Sequence, residues 1–314
     1  MFDRYIRNIK QSKQIRRDQK IMNSNRRNFI GALGVTGLMG TLAIDKALAQ
    51  NNQPQTNKAI PLNLERQLEG KVALVTGARA NLGRGFAEVL ARQGANVVVH
   101  YHRESTRNQA EETAKLVQAQ GVKAVLVSGD LGKADVVKRV FDTVLNNFGR
   151  LDIVVNNAGA IVKKSLAEVT DEDLERMINI NTRGTFYCMR EASRRIADNG
   201  RIINIGTSLL AGMAPNYAAY AGTKATMEEV TRMGARELGS RGITVNTISP
   251  GPIDTPFFHS QETPQTTQFA SGLSVAGRLG EVSDIVPVVE FLALPSSQWI
   301  TGQTLWVNGG YLTR

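Results

Sequence analysis

The chain has 314 residues and a formal net charge of +10, so it is long enough for one large α/β domain and its charge first suggests a nucleic-acid partner. The charge is unevenly placed. Residues 1–49 carry ten Lys/Arg against three Asp, whereas residues 50–314 carry 28 basic and 25 acidic side chains. Because the globular part is nearly balanced, a broad basic surface for nucleic acid is excluded, and we expect no nucleic-acid partner.

The first 49 residues have the features of an export signal. The pair Arg26-Arg27 precedes an apolar, Gly/Ala-rich run over residues 29–44, and Ala47-Leu48-Ala49 offers small residues for cleavage before Gln50. This order predicts twin-arginine export to the periplasm. An amphipathic N-terminal helix or an uncleaved anchor is the alternative, and the protein would stay in the cytoplasm if the leader were not used.

The apolar run is shorter than the roughly 20 residues that a membrane-spanning helix needs, so we expect no stable membrane span. Met22 is an alternative start that would give a shorter leader. The Gln/Asn-rich residues 50–64 are interpreted as a flexible linker.

The single cysteine, Cys188, rules out an intrachain disulfide, and we expect it to fill a helix face in the core. No cluster of His, Cys and Asp has the spacing of metal ligands, so we predict no metal site. His259 is interpreted as a surface residue.

Short apolar segments alternate with amphipathic ones from residue 71 onward. This alternation predicts a doubly wound, mostly parallel sheet of the Rossmann type in a single α/β domain over residues 65–314. The predicted strands span residues 71–75, 96–101, 123–128, 151–155, 201–205, 244–248 and 305–307. The first predicted helix follows the first strand and ends at residue 93. The other predicted helices span residues 106–120, 133–148, 171–198 (one long helix or a broken pair) and 218–238. Ligands of such sheets lie beyond the carboxyl ends of the strands, so the segments that follow strands one, four, five and six should converge.

A glycine-rich turn, Thr76 to Gly85, joins the first predicted strand to its helix. Glycine allows a backbone to approach a pyrophosphate closely, and the helix N-terminus offers free N–H groups to it. A tight turn without a ligand is the alternative interpretation.

The end of the second strand indicates which dinucleotide would bind. Enzymes that use NAD usually have an acidic residue here for the ribose 2′-hydroxyl, but this chain has Tyr101, His102 and Arg103, and Arg79 lies in the glycine-rich turn. Two cations without a carboxylate favour the 2′-phosphate of NADP(H) over NAD(H). A solvated loop with ordinary charges is the alternative.

Tyr220 and Lys224 are four residues apart on a predicted helix, so both side chains should point to the same side. A neighbouring positive charge lowers the pKa of a phenol, ordinarily about 10. Such a tyrosine can exchange a proton with an alcohol or carbonyl oxygen. The pair alone could also belong to an ordinary helix surface.

With these motifs in order, the chain resembles the short-chain dehydrogenase/reductase family from about Leu68 to Tyr311. The resemblance rests on Thr76-Gly77 through Gly83, Asn156-Asn157-Ala158-Gly159, Asn181, the hydroxyl pair Thr207-Ser208, Tyr220 with Lys224, Pro250-Gly251-Pro252 with Thr255, Ile300-Thr301-Gly302-Gln303 and Asn308-Gly309-Gly310.

The resemblance implies a role for each matching residue. Tyr220 would be the general acid/base. Lys224 would hold the nicotinamide ribose and lower the Tyr220 pKa. A hydroxyl at Thr207 or Ser208 would orient the substrate oxygen, and Asn181 would bend its helix and hold a water. The cofactor set would comprise Gly77, Arg79, Asn81, Leu82, Gly83, Tyr101, His102, Arg103, Asp130, Leu131, Asn157, Ala158, Gly159, Tyr220, Lys224, Pro250, Gly251, Ile253 and Thr255.

Two positions depart from the family pattern. Asn81 replaces the middle glycine of the glycine-rich turn, and we expect the turn to survive because asparagine tolerates a positive φ. The usual serine position falls on Thr207, whereas Ser208 matches by type one residue later. Neighbouring residues of a strand point to opposite faces, so only one of the two hydroxyls should enter the site.

The sequence therefore predicts an NADP(H)-dependent oxidoreductase that reduces a carbonyl to a secondary alcohol or catalyses the reverse reaction. A cofactor-binding sensor or scaffold without turnover is the alternative. An epimerase or dehydratase of the extended branch is disfavoured, since only about 60 residues follow the sixth strand. Substrate specificity should lie in residues 209–217 and in a mobile lid over residues 256–276. The resemblance implies a homo-oligomer, usually a tetramer.

Overall fold

The computed structural model describes residues 66–313. In this part of the chain seven strands form one sheet in the order β3-β2-β1-β4-β5-β6-β7, and every neighbouring pair is parallel. The strands are β1 (Val72–Val75), β2 (Asn96–Tyr101), β3 (Ala124–Ser128), β4 (Ile153–Asn156), β5 (Arg201–Ile205), β6 (Thr244–Pro250) and β7 (Thr304–Val307). The predicted doubly wound sheet is confirmed. The predicted export signal and linker lie outside the described residues, and both stay predictions.

The helices within the described residues alternate with the strands. They are α1 (Asn81–Arg92), α2 (Arg107–Ala119), α3 (Ala134–Phe148), α4 (Asp171–Met177), α5 (Thr185–Arg195), α6 (Ala218–Lys224), α7 (Thr226–Leu238), α8 (Pro256–His259), α9 (Pro264–Ser271) and α10 (Val282–Ala293). Short 3₁₀ turns occupy Glu104–Thr106, Ser208–Leu210, Gly239–Arg241 and Pro295–Ser297.

Helices cover both faces of the sheet, which explains why the strands are almost continuously apolar. On one face, Phe86 and Leu90 of α1 pack with Val289 of α10 against the sheet. On the other, Phe141 of α3 and Cys188 of α5 pack in a second core. Each of the buried Phe, Leu and Val side chains contributes about 1.5–3 kcal/mol to stability. Cys188 lies in the core as predicted.

The helix predicted over residues 171–198 is helical from residue 171 to 195 but changes its type in the middle. Thr170 and Asp173 form a capping box that starts α4. A π-helical segment, Ile178–Gly184, then separates α4 from α5. The helix predicted over 218–238 is divided at Ala225, whose backbone is itself helical (φ −57°, ψ −31°), so Tyr220 and Lys224 share α6.

Two short helices, α8 and α9, occupy the predicted lid, residues 256–276, and each begins with proline. Proline suits the first helical position because its fixed φ fits and its missing N–H would have no partner there. Among residues 66–313, no helix has the length and apolarity of a membrane span. In the same range, no three His, Cys, Asp or Glu side chains are grouped as metal ligands.

Candidate active site

A cleft of about 1380 Å³ opens where the strands end. All the predicted site residues line it except Asn181. The segments after β1, β2, β4, β5 and β6 therefore converge as the parallel topology requires.

The glycine-rich turn between β1 and α1 forms one end of the cleft. Gly77 has a φ of +64°, and a Cβ at Gly83 would lie 2.4 Å from the Gly77 carbonyl oxygen, so no larger residue fits at Gly83. Asn81 has a φ of +52°, which confirms that asparagine sustains the turn in place of glycine. The turn leads directly into the N-terminus of α1, an arrangement that fits a pyrophosphate. The N–H groups at the start of the helix would stabilise the negative charge of the pyrophosphate.

Thr76 and Asn157 fix this turn against the end of β4. The Thr76 hydroxyl accepts hydrogen bonds from the backbone N–H groups of Asn157 (2.9 Å) and Ala158 (3.0 Å). The Asn157 amide donates in return to the carbonyls of Thr76 (2.9 Å) and Gly77 (3.2 Å). These reciprocal bonds hold the two loops at a set spacing.

His100 is a site residue that the sequence analysis missed. It is buried in β2, where its Nδ1 accepts from the Gly77 N–H (3.1 Å) and its Nε2 donates to the Gly129 carbonyl (3.0 Å). Burial lowers the pKa of His100 to about 4, so the ring is neutral near pH 7. A polar residue within an otherwise apolar strand, Val97 to Tyr101, was the available signal.

The corner beside the end of β2 holds the predicted cations. Arg79, His102 and Arg103 all line the cleft, and the Arg79 guanidinium donates to the Gln109 side chain. The nearest acid along the chain, Glu104, accepts a hydrogen bond from the Tyr101 hydroxyl (2.8 Å) and does not line the cleft. Two arginines at the end of β2 and in the glycine-rich turn fit the 2′-phosphate of NADP(H), as the sequence predicts.

Tyr220 lies on α6, lines the cleft and belongs to one apolar cluster with Ile161, Met177 and Tyr217. Burial raises the pKa of Tyr220 to about 12, and a hydrogen bond with Thr207 acts in the opposite direction. Ser208 is turned away, because its hydroxyl donates to the Ser249 carbonyl (2.9 Å). Of the two candidate hydroxyls, the structure therefore places Thr207 beside the tyrosine.

The buried Lys224 ammonium donates to the Ile205 carbonyl at the end of β5 (2.8 Å). Burial also lowers the pKa of Lys224 itself, to about 7. The prediction that Lys224 lowers the Tyr220 pKa therefore needs correction. Desolvation dominates for both groups, and Thr207 is the partner that opposes it at the phenol.

Asn181 is fully buried behind the cleft, in the π-helical segment. Its side chain accepts from the Ala160 N–H (2.9 Å) and donates to the Ala160 carbonyl (2.9 Å) and the Thr223 hydroxyl (3.0 Å). The side chain thus joins the loop after β4 to α6. A π-helical segment is present where the bend was predicted, and the side chain has three protein contacts instead of facing the cleft.

The remaining predicted residues form the walls. Asp130 and Leu131 follow β3, and the Asp130 carboxylate accepts from the Gly132 N–H (3.0 Å). Gly159 lies close to both Asn181 and Lys224. The segment after β6 supplies Pro250, Gly251, Ile253 and Thr255.

The far end of the cleft joins Lys163, which was not predicted, to the two segments predicted to set substrate specificity. Tyr217 comes from residues 209–217, and Gln261, Glu262 and Phe269 come from residues 256–276. No local pattern could have joined them, since Lys163 and Glu262 are 99 residues apart.

The parallel sheet, the glycine-rich turn and the buried tyrosine and lysine define a dinucleotide-binding α/β protein. A family model described as "Enoyl-(Acyl carrier protein) reductase" matches residues 77–312. The chain is 40% identical over 253 residues to a short-chain type dehydrogenase/reductase of Picea abies, covering 77% of this chain and 93% of that protein. It is 39% identical over 262 residues to a hydroxynaphthalene reductase-like protein of Metarhizium brunneum, covering 79% and 97%.

A solved structure shows the same architecture. A putative dehydrogenase from Burkholderia cenocepacia with bound NADP has a TM-score of 0.77 and 37% identity, over 80% of this chain and 96% of that one. The protein belongs to the short-chain dehydrogenase/reductase family.

Proposed function

We propose that this protein is an NADP(H)-dependent oxidoreductase that reduces a carbonyl to a secondary alcohol, or catalyses the reverse reaction. The observation that carries the proposal is the hydrogen-bonded pair Thr207 and Tyr220 in the same cleft as Lys224 and the glycine-rich turn. The Burkholderia relative holds NADP, and Arg79 and Arg103 supply cations for its 2′-phosphate here. The bound cofactor supplies or accepts the hydride.

The protein's own residues would bind the substrate oxygen and move its proton. Tyr220 is protonated at neutral pH because its pKa lies near 12, so it can donate a proton to a carbonyl oxygen. Thr207 is placed to orient that oxygen by a second hydrogen bond. Asn181 would fix the loop after β4 against α6, and this contact would keep Tyr220 and Lys224 in place.

The size and lining of the cleft favour a bulky substrate with apolar surface. Phe257, Phe258, Phe269 and Leu209 line the cleft, and aromatic side chains offer large contact areas to flat rings. The Metarhizium relative is described as hydroxynaphthalene reductase-like. We therefore propose cyclic or aromatic ketones as the substrate class.

A panel assay tests the proposal directly. NADPH oxidation is followed at 340 nm with cyclic, aromatic and aliphatic ketones, and each alcohol product is identified by mass spectrometry. We expect turnover with a subset of cyclic or aromatic ketones. A protein that binds no nicotinamide cofactor in calorimetry would contradict the proposal, and cofactor binding without turnover would favour the sensor alternative.

Removal of the Thr207 hydroxyl should lower kcat/KM more than removal of the Ser208 hydroxyl. We expect Thr207→Val to lower kcat/KM about tenfold, because a hydrogen bond at the reacting oxygen contributes about 0.5–1.5 kcal/mol. Ser208→Ala should change kcat/KM less than about threefold, since its hydroxyl donates to the Ser249 carbonyl. Steady-state kinetics of both variants decide between them, and a larger loss in Ser208→Ala would overturn the assignment.

Replacement of His100 should weaken NADPH binding, although His100 has no proposed contact with the substrate. His100→Leu leaves the Gly77 N–H and the Gly129 carbonyl without partners, and we expect the Kd for NADPH to rise about tenfold. His100→Asn keeps an acceptor near the Gly77 N–H and should stay within about threefold of the parent protein. Calorimetric titration with NADPH checks this, and equal Kd values for all three proteins would contradict it.

A further inference from the structure

The far end of the cleft contains a compact group of polar side chains that the proposed chemistry does not use. The Glu262 carboxylate accepts hydrogen bonds from the Lys163 ammonium and the Tyr217 hydroxyl, one on each oxygen. The Lys163 ammonium also lies 5.3 Å from the centre of the Tyr217 ring. We call these three residues the Lys163 cluster.

The Lys163 cluster lies beside the reacting centre. The rings of Tyr217 and Tyr220 are tilted at 59° to each other with their centroids 6.2 Å apart. Tyr217 is thus close both to the Lys163 ammonium and to the ring of the proposed proton donor. A substrate whose carbonyl oxygen meets Tyr220 extends its substituents along this wall.

The charges of the cluster are poorly solvated. The side chains of Lys163 and Glu262 are only 16% and 4% exposed. Burial by itself would raise the pKa of Glu262, but hydrogen bonds from Lys163, Thr266 and Tyr217 outweigh it and hold this pKa below its ordinary value. The carboxylate is therefore ionised at neutral pH and neutralises the ammonium, so the wall carries no net charge.

Other charged groups that line the cleft differ in exposure. Glu172, Glu175 and Arg176 of α4 are exposed at the rim. Glu175 pairs with Arg183, and Arg176 donates to the Ile161 carbonyl. Water screens such surface charges. Lys224 is buried in the same cleft and donates to the Ile205 carbonyl, so the Lys163 cluster sets the charge of the far end and not of the whole cleft.

We infer that the Lys163 cluster makes this end of the cleft selective for neutral carbonyl substrates against carboxylate-bearing ones, with Glu262 as the specificity-determining residue. A substrate carboxylate placed here would meet an ammonium whose charge is already compensated and a second carboxylate that repels it. Like charges in a poorly solvated site are strongly unfavourable. The inference rests on the proposed function for its substrate position, and it specifies the substrate class further.

Glu262 could instead only hold the predicted lid in place, and the experiment must distinguish this role from charge selectivity. Glu262 precedes α9, and the neighbouring Gln261 side chain accepts from the Lys163 N–H (2.9 Å). If Glu262 only fastened the lid segment, its replacement would weaken neutral and anionic ligands equally. If it sets charge selectivity, the replacement changes their ratio.

The test uses a matched pair of ligands, 4-acetylbenzamide and 4-acetylbenzoate, which differ chiefly in charge. Binding of each is measured by calorimetry with saturating NADP⁺, and turnover is measured separately with NADPH. We expect the parent protein to bind the amide at least about tenfold more tightly. In Glu262→Gln, Lys163 loses its counter-charge, and the carboxylate should become the tighter ligand, a change in the Kd ratio of about 100-fold.

Two further variants make the result specific. The double variant Lys163→Met/Glu262→Gln should lose the gain in carboxylate binding, because the cation is gone. Asp173→Asn removes the neighbouring Lys164–Asp173 ion pair, which does not line the cleft, and should leave the ratio unchanged.

An unchanged ratio in Glu262→Gln overturns the inference, as does equal binding of the two ligands by the parent protein or failure of the parent protein to bind the amide. Binding with the expected ratios but without reduction of any ketone would instead contradict the proposed function and leave the inference standing.

Discussion

Tyr220→Phe is expected to lower kcat for carbonyl reduction by about 10²–10⁴-fold, the usual contribution of general acid–base catalysis. The ring stays buried against Met177 and Ile161, so the fold should be retained. Only the hydroxyl that Thr207 contacts is lost. Stopped-flow or steady-state measurement of NADPH oxidation gives the rate, and calorimetry should find the Kd for NADPH within about threefold of the parent value.

Tyr187→Phe is the matched control for this variant. Tyr187 lies on α5, where its ring contacts the Arg190 guanidinium, and it does not line the cleft. Turnover should be unchanged in this control. A Tyr220→Phe protein that retained more than about a tenth of the parent rate would show that another group donates the proton.

The double variant Arg79→Ala/Arg103→Ala is expected to raise the Kd for NADPH about 100-fold or more. A hydrogen bond to a charged group contributes about 1.5–3 kcal/mol, which is roughly 10–100-fold in affinity for each arginine. The Kd for NADH should change less than about threefold, because NADH has no 2′-phosphate. Calorimetric titration with each cofactor measures the ratio.

Arg107→Ala is the matched control for the arginines. Arg107 is exposed, forms ion pairs with Glu104 and Glu111, and is absent from the cleft lining. It should leave both Kd values unchanged. If the double variant weakened NADH and NADPH equally, the 2′-phosphate assignment would be wrong and the arginines would only shape the glycine-rich turn.

The path of the chain could be predicted well because it depends on local periodicity. Apolar strands such as Val72–Val75 and amphipathic helices such as Ala134–Phe148 differ in the spacing of their hydrophobic residues. The family resemblance implied a bend near Asn181, and the structure has a π-helical segment there. The export signal, the tetramer and the lack of a metal site stay predictions.

The site itself was predicted in part. Parallel strands place their carboxyl ends at one edge of a sheet, so the convergence of the glycine-rich turn with Tyr220 followed from the order of the elements. The sequence did not show whether Thr207 or Ser208 contacts Tyr220. The backbone conformation after β5 determines that Thr207 contacts Tyr220 and that Ser208 donates to the Ser249 carbonyl.

The sequence by itself determined the alternation of strands and helices, the glycine-rich turn and the four-residue spacing of Tyr220 and Lys224, all of which depend on neighbours along the chain. Only the tertiary structure decided that His100 supports the turn, that Glu262 neutralises Lys163, and that burial raises the Tyr220 pKa. These last three depend on desolvation and on contacts between distant segments. Such properties exist only once the chain has folded, because packing then removes water and brings the distant groups together.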